Sequence, residues 1–341
     1  MDYKKIIALA SLGILILAAM IIIIGPRQIL NALSTADSKF IALAVVIQFI
    51  IMGLWNYRWS LICNSLKIPH KFWSLFAVTI VGLAVNDITP SGRSGGEPVR
   101  AYILSRSSSV DFNRTFASVM ADKIFDTFPF FVLAIFAIAY LIFTVHLGTS
   151  LFITLIVLLV LFIALLAFII FLCINEEIGE KTIKWVFRQL RRFITRDLDS
   201  WEQKAQEALL GFQDSLKYLM GDKKLLIIAT IVSFLVWFLE LMRVYVIFEA
   251  FGVHIAMGMI ASVFLVSTLV GAIPALPGGL GSIDGIMILL YSMAGVTSSV
   301  STAVTLVERI ISLWMVIIIG LILLPFYGRG VLDKAESSKN S

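Results

Sequence analysis

Six stretches of the chain are apolar for long enough to cross a membrane as helices. They run over residues 6–24, 40–62, 111–145, 150–174, 225–250 and 302–326. A helix needs about 20 residues to span the roughly 30 Å of hydrocarbon in a bilayer. Lys4 and Lys5 precede the first stretch, which is too long for a signal peptide, so we expect an uncleaved span. Gly25 and Pro26 end it, and we expect a short polar loop from there to Lys39. The pattern predicts an all-α, polytopic membrane protein with six full spans.

A shorter apolar stretch, 72–85, is followed by a turn that is rich in glycine, proline and charge. Its helix-breaking residues are Pro90, Gly92, Gly95 and Gly96. Such a segment does not cross lipid as a plain helix, because broken backbone at membrane depth survives only where protein or a water-filled cavity surrounds it. We interpret 72–105 as a re-entrant hairpin. An ordinary cytoplasmic loop between two spans is the alternative.

A second copy of this pattern lies at 257–295. Its turn contains Pro277, Gly278, Gly279 and Gly281, and Pro277 follows Pro90 by 187 positions. Charged residues outside the turns repeat at a similar spacing of 185 to 187 positions. This spacing aligns Glu97 with Asp284, Asp122 and Lys123 with Glu308 and Arg309, and Arg58 with Arg243, as equivalent positions of the two copies. Ordered matches in two apolar surroundings favour a duplicated unit.

The duplication divides the chain into two transmembrane repeats, each with three spans and one hairpin. We assign residues 1–148 to the first repeat and 149–327 to the second, followed by a polar tail at 328–341. An odd number of spans inverts the second repeat. The two hairpins then enter from opposite faces, and their turns should meet near the midplane, as in inverted-repeat transporters.

The stretch 176–224 is the one long polar segment before the tail. Apolar stripes at helical spacing predict two amphipathic helices on the membrane surface, and a solvated connector is the alternative. Basic residues concentrate in this segment and around 67–71, 106–114 and 329–339. By the positive-inside rule we expect a multi-pass plasma-membrane protein with both termini in the cytoplasm.

The end of the second span carries Trp55, Tyr57 and Trp59, which we interpret as an interfacial aromatic belt. Arg58 lies among these rings. A snorkelling arginine at the interface is one interpretation of it, and its match to Arg243 in the second repeat is the competing one.

The composition supports the membrane assignment. The chain is 60% hydrophobic and 14% charged, with a mean hydropathy of +0.98, which excludes an ordinary soluble domain. The net charge of +5 does not indicate nucleic acid, because the basic residues lie beside membrane segments. Cys63 and Cys173 predict neither a disulfide nor a metal site, and we expect no cofactor. Whether the chain forms a homo-oligomer is left open.

The candidate site combines the charged residues of the hairpins with those of the long spans. A charge at the bilayer centre costs at least a few kcal/mol, so such groups must pair or line water. Glycines at broken helix ends expose backbone N–H groups that suit a phosphate, and arginines add bidentate donors. The arginines would bind a headgroup, and the carboxylates would balance them or carry a coupling proton. The candidate substrate-binding residues are Arg93, Glu97, Arg100, Asp122, Lys123, Asp284, Glu308 and Arg309.

No familiar catalytic motif appears in the sequence. We find no HExxH, CxxC, Walker A or Ser/His/Asp spacing, and we assign no catalytic residue. An integral-membrane transferase acting on a lipid-linked substrate remains the alternative to a transporter. Buried ion pairs that only hold the fold together are a third interpretation.

The two turn segments, PSGRSGGEPVRAYIL from residue 90 and PALPGGLGSIDG from residue 274, resemble the signature segments of the flippase-like transmembrane domain of lysylphosphatidylglycerol synthases. The resemblance covers about 41–327. Glu97 and Arg100 fit the first signature, whereas Asp284 stands where the family has a glutamate, which keeps the charge but shortens the reach. The soluble aminoacyl-transferase part of the synthases has no counterpart here. The resemblance therefore implies a flippase, and we expect it to move a phosphate-bearing lipid, phospholipid or polyprenyl-linked, with an anionic headgroup.

Overall fold

The computed structural model describes residues 26–89, 95–144, 175–191, 199–271 and 277–327, with scattered positions at 22 and between 149 and 171. Every regular element in these ranges is helical, as the hydrophobic pattern predicts. The helices are α1 Pro26–Ser34, α2 Ser38–Ser65, α3 Phe72–Ile88, α4 Glu97–Ser108, α5 Phe112–Thr144, α6 Glu176–Leu190, α7 Asp199–Gly221, α8 Lys223–Ala250, α9 Met257–Gly271, α10 Ser282–Met293 and α11 Ser298–Tyr327. A short 3-10 turn, Pro277–Gly279, precedes α10.

Four of the described helices, α2, α5, α8 and α11, are long and apolar enough to cross a membrane. They correspond to the second, third, fifth and sixth predicted spans. The predicted spans at 6–24 and 150–174 lie outside the continuously described ranges, and so does the tail at 328–341. The count of six spans therefore stays a prediction.

Helix α1 occupies a stretch that the sequence pattern assigns to a polar loop. Pro26 stands at its first position, where a missing backbone N–H costs little and the fixed φ suits a helix. Leu30 and Leu33 recur at helical spacing along it, and α1 packs against α11. The loop prediction is wrong here because a helix of nine residues is too short to show a clear helical period of apolar positions.

The long and short helices occur twice in the same order. Long α2, the short pair α3 and α4, and long α5 are followed after the polar segment by long α8, the short pair α9 and α10, and long α11. Helix α2 packs along α8, whereas α3 packs against α11 and α9 packs against α5. Each short pair thus has a helix that contacts the last long helix of the other set.

Helices α2 and α8 run antiparallel. At one end the backbone N–H of Asp37 donates to the Ala250 carbonyl at 2.8 Å. At the other end the Ser65 hydroxyl donates to Asp222 at 3.0 Å. Asp222 also caps α8 by accepting from the Leu225 N–H, and these bonds hold the pKa of Asp222 below its usual value. Both ends of the central helix pair are therefore fixed.

The polar segment forms α6 and α7, and the apolar stripe of α7 packs on protein. Phe212, Leu216 and Leu219 are buried in a cluster with Ala117 and Val119 of α5. Sequence spacing alone could not distinguish this stripe from one that faces lipid, because both have the same period. Helix α6 packs against α7.

Candidate functional site

Arg58 of α2 joins three helices at the centre of the protein. Its guanidinium contacts Asp122 of α5 at 2.7 Å and Asp126 of α5 at 3.0 Å, and it donates to the Ser233 hydroxyl of α8 at 3.0 Å. Arg58 is buried, so the interfacial interpretation of this residue is wrong. A buried arginine has lost the water around its charge, and the two carboxylates compensate that charge instead.

Arg243 of α8 makes the corresponding set of contacts. It contacts Glu240 at 2.6 Å and Glu308 of α11 at 2.9 Å, and it donates to the Gln48 side chain of α2. Arg58 and Arg243 are 185 positions apart, and so are their cross-helix partners Gln48 and Ser233. Each arginine therefore reaches across the α2–α8 contact to the matching position of the other helix.

The acids at the starts of α4 and α10 repeat this correspondence. Glu97 contacts Lys123 of α5 at 3.1 Å, and Asp284 contacts Arg309 of α11 at 2.9 Å. The four residues are the pairs that the sequence aligns at spacings of 186 and 187. Residues that the sequence aligns between the two repeats therefore form equivalent ion pairs in the structure.

Close backbone contact between α3 and α4 positions Arg100. A methyl group at Gly82 would lie 2.6 Å from Arg100 Cδ, and a methyl group at Gly96 would overlap the Gly82 carbonyl. Only glycine lets the two helices approach this closely. Arg100 then extends across Gly82 to contact Asp122 at 2.9 Å, with its guanidinium 4.1 Å from the centre of the Trp59 ring.

The turn before α10 is closed by its own polar groups. Gly278, Gly279 and Gly281 all have positive φ angles, which favour glycine. Asp284 accepts from the Gly281 N–H at 2.6 Å and so caps α10. Its side chain has 0% exposure. A Cβ on Gly278 would lie 3.1 Å from the Asp87 carbonyl oxygen, so this turn meets the end of α3.

Helix α11 changes its hydrogen bonding directly after Arg309. Residues Ile310–Trp314 form a π segment before the α-helix resumes. Such segments often occur at functional sites, where they alter the direction of neighbouring side chains. This one separates the charged residues Glu308 and Arg309 from the apolar second half of the helix.

A cavity of about 320 Å³ lies between the two sets of helices. Part of its wall is charged and part is apolar. The charged residues are Arg58, Arg100, Lys123, Arg243 and Arg309, with Asp87, Glu97, Asp122, Asp126, Glu240 and Glu308. The apolar and aromatic residues include Trp55, Phe130, Phe131, Trp237, Phe264 and Met287. Lys123 and Asp126 are the more open of the charged residues, with side chains 37% and 30% exposed.

The structure places six of the eight candidate substrate-binding residues in the cavity wall. These are Glu97, Arg100, Asp122, Lys123, Glu308 and Arg309. Asp284 lies behind Arg309 and is not part of the wall. Arg93, Pro90 and Gly92 lie outside the described residues, whereas Gly95 and Gly96 are described next to α4.

Several cavity residues were not among the sequence candidates. Arg58 and Arg243 were aligned with each other, and that match was the signal for them. Asp126 lies one helical turn from Asp122 on the same face, and Glu240 lies one turn before Arg243. Trp59 is buried against Arg100, so the aromatic-belt interpretation is wrong for it, whereas half-buried Trp55 lines the cavity.

The described helices and the buried charges between them define a multi-pass membrane protein. The family described as "Lysylphosphatidylglycerol synthase TM region" matches residues 10–320, and the chain belongs to it. A UPF0104 membrane protein of Methanothermobacter thermautotrophicus is 40% identical over 326 residues, which cover 96% of each chain. One from Methanocaldococcus jannaschii is 26% identical over 327 residues, again 96% of each. Glycosyltransferase AglD of Haloferax volcanii is 28% identical over 121 residues, 36% of this chain and 19% of that protein.

Proposed function

We propose that this protein moves a phosphate-bearing lipid, either a phospholipid or a polyprenyl-linked lipid, between the leaflets of the plasma membrane. The observation that carries the proposal is the mixed cavity between the two sets of helices. Ionised groups inside a bundle of apolar helices are costly and are commonly found along substrate pathways. A role that only required stability would be served as well by apolar packing.

The dimensions and chemistry of the cavity suit a lipid headgroup. Its volume of about 320 Å³ lies at the lower end of the range for ligand sites, roughly 300–1,000 Å³. Arg100 and Lys123 can donate to phosphate oxygens. Aromatic residues on the remaining wall, such as Phe130 and Trp237, can contact the first methylenes of an acyl or prenyl chain.

The proposal includes an inverted repeat of six spans and two re-entrant hairpins, with both termini in the cytoplasm. Three observations support the inversion. Helices α2 and α8, which the repeat equates, run antiparallel. Arg58 and Arg243 make matching contacts across them. The second turn meets the end of the first short helix, as Gly278 and Asp87 do. Such repeats commonly place a substrate site at the interface between the halves.

The experiment compares Arg100→Gln with Arg106→Gln in liposomes. Arg100 lines the cavity, whereas Arg106 is exposed on the same helix. Mass spectrometry of the lipids that copurify with the protein, normalised to the bulk membrane, selects the lipid to label. Label in the inner leaflet that becomes accessible to an external quencher reports translocation. We expect Arg106→Gln to match the wild type and Arg100→Gln to lose at least tenfold in rate, about 1.4 kcal/mol in the barrier. Equal rates for a stably folded Arg100→Gln would contradict the proposal.

A second candidate is an integral-membrane transferase that acts on a lipid-linked substrate. The similarity to the glycosyltransferase AglD favours it, although the match covers a fifth of that protein. Incubation of the purified protein with polyprenyl-phosphate and a radiolabelled nucleotide sugar tests it. Formation of labelled polyprenyl product would favour the transferase, and movement of unmodified lipid favours the transporter.

A further inference from the structure

The described part of the cavity wall contains carboxylates as well as bases. Six carboxylates and five bases line it, and Asp284 adds another carboxylate directly behind Arg309. Buried charges are tolerated when they compensate one another. A phosphate that entered this wall unaccompanied would bring a negative charge into a buried cluster of paired charges. A proton that entered with the phosphate would compensate that charge.

Glu97 is a wall carboxylate with one buried oxygen that has no hydrogen-bond partner among the described residues. One of its oxygens contacts Lys123 Nζ at 3.1 Å and accepts from Asn86 at 3.3 Å. The other, Oε2, is buried and has no hydrogen-bond partner among the described residues. Asp122, by contrast, contacts Arg58 with one oxygen and Arg100 with the other. A buried oxygen without a donor is unfavourable for an ionised carboxylate.

We propose that Glu97 takes up one proton when a lipid phosphate binds beside Lys123 and Arg100, and releases it when the lipid leaves. This inference rests on the proposed function and describes how the same cavity admits phosphate. A phosphate oxygen replaces Glu97 as the acceptor from Lys123 Nζ. The proton comes from water and binds Oε2, so that the carboxyl group becomes a donor. One negative charge and one proton enter together, and the charge of the cavity is unchanged.

The groups around Glu97 favour both halves of this exchange. Helix α3 contributes Asn86 and Asp87, α5 contributes Asp122 and Lys123, α4 itself contributes Arg100, and α11 contributes Arg309 across the cavity. Before binding, the adjacent bases stabilise ionised Glu97. A phosphate beside the same bases offsets their charge, and like-charge repulsion then favours the protonated carboxyl. Arg100 Nε is buried and has no hydrogen-bond partner among the described residues, so a donor is available to the phosphate.

Asp284, the counterpart of Glu97, is not placed for this role. It lies outside the cavity wall. One of its oxygens accepts from the Gly281 N–H, and the other lies 2.9 Å from the charged Arg309 Nε, although without hydrogen-bond geometry. Proton uptake is therefore expected at the first hairpin acid and not at the second. Glu249 of α8, which bonds to His254 outside the cavity wall, provides a control carboxylate.

Calorimetry on the full-length protein in phosphatidylcholine nanodiscs tests the proposal. The probe is dihexanoyl-phosphatidylglycerol, a phosphodiester whose own charge does not change near neutral pH. Titration in MOPS and in imidazole, buffers of different ionisation enthalpy, gives the number of protons taken up per lipid bound. We expect one proton for the wild type and for Glu249→Gln, and none for Glu97→Gln. Uptake of one proton per lipid would make the apparent Kd of the wild type rise about tenfold per pH unit, and that of Glu97→Gln should stay constant.

The outcomes separate the two proposals. If the wild type binds neither this probe nor a short-chain polyprenyl phosphate, the proposed function fails and this inference fails with it. If the wild type binds without proton uptake, or if folded Glu97→Gln still takes up a proton, the coupling is wrong and the proposed function stands. Difference infrared spectroscopy covers the case in which Glu97→Gln does not fold. Binding to wild-type protein with ¹³C-labelled glutamate should produce a shifted carboxylic-acid C=O band, and the absence of that band would overturn the inference.

Discussion

Replacing Gly96 with alanine should disrupt the packing of α4 against α3, starting at the backbone. The added methyl group would lie 2.7 Å from the Gly82 carbonyl carbon and closer still to its oxygen. Non-bonded carbons sit at about 3.5–4.0 Å, so α4 has to move away from α3 by about 1 Å. Overpacking of this kind costs about 1–3 kcal/mol. Losing the bond from the Gly96 N–H to Asn86 adds about 1 kcal/mol. We expect a total loss of about 2–4 kcal/mol in the free energy of unfolding.

Gly53→Ala is the matched control, because a methyl group there meets no atom within 4 Å. Alanine is also the better helix former, so Gly53→Ala should be neutral or stabilising. Denaturant unfolding of both variants in one detergent measures the difference, and the liposome assay measures transport. Gly96→Ala should also impair transport, since moving α4 displaces Arg100 from Asp122. Equal stability of the two variants, with full transport by Gly96→Ala, would refute the close contact between α3 and α4.

Three further predictions concern the buried charges, the topology and the polar segment. Arg243→Gln leaves Glu240 and Glu308 without their base and should lower the unfolding free energy by about 3–5 kcal/mol, whereas Arg106→Gln should change it little; similar losses for both would mean that the buried network is not stabilising. Cysteines introduced at Ser107 and Ser298 should be labelled from opposite faces of the membrane, and labelling from one face would exclude the inverted repeat. Trp185 of α6 is 58% exposed in the protein. It should be protected from aqueous quenchers when the protein is in liposomes, but not in an isolated α6 peptide in water. Equal quenching of the two samples would make the segment a solvated connector.

The sequence predicted which charged residues are buried better than it predicted how they pair. Charges that recur at spacings of 185 to 187 positions aligned Glu97 with Asp284 and Lys123 with Arg309, and the structure shows that each acid pairs with the base of its own repeat. A buried charge must be compensated by another charge. Both members of each pair are therefore recognisable as charged residues within an apolar stretch of sequence. The spacing could not reveal that Glu97 faces the cavity and Asp284 caps a helix, since that depends on the closure of the second turn.

Arg58 and its aromatic neighbours show why local context misled the interpretation. Tryptophan and arginine near the end of an apolar stretch are typical of a membrane interface. Here Trp59 is buried beneath the Arg100 guanidinium, and Trp55 lines the cavity. Their positions depend on α4, which follows some 40 residues later in the chain and reaches them through the contact between Gly82 and Gly96. The residues that neighbour Arg58 in the sequence do not include α4, so they cannot predict these contacts.

The central claim is that the purified protein moves phosphate-bearing lipid across a bilayer. The direct measurement is translocation by the wild type in phosphatidylcholine liposomes, with two probes carrying the same fluorescent acyl chain. One probe is phosphatidylglycerol, and the other is glucosylceramide, which has no phosphate. We predict that the inner-leaflet phosphatidylglycerol becomes accessible to an external quencher much faster than in protein-free liposomes, while glucosylceramide does not. Rates that match protein-free liposomes for phosphatidylglycerol, or equal acceleration of both probes, would contradict the claim.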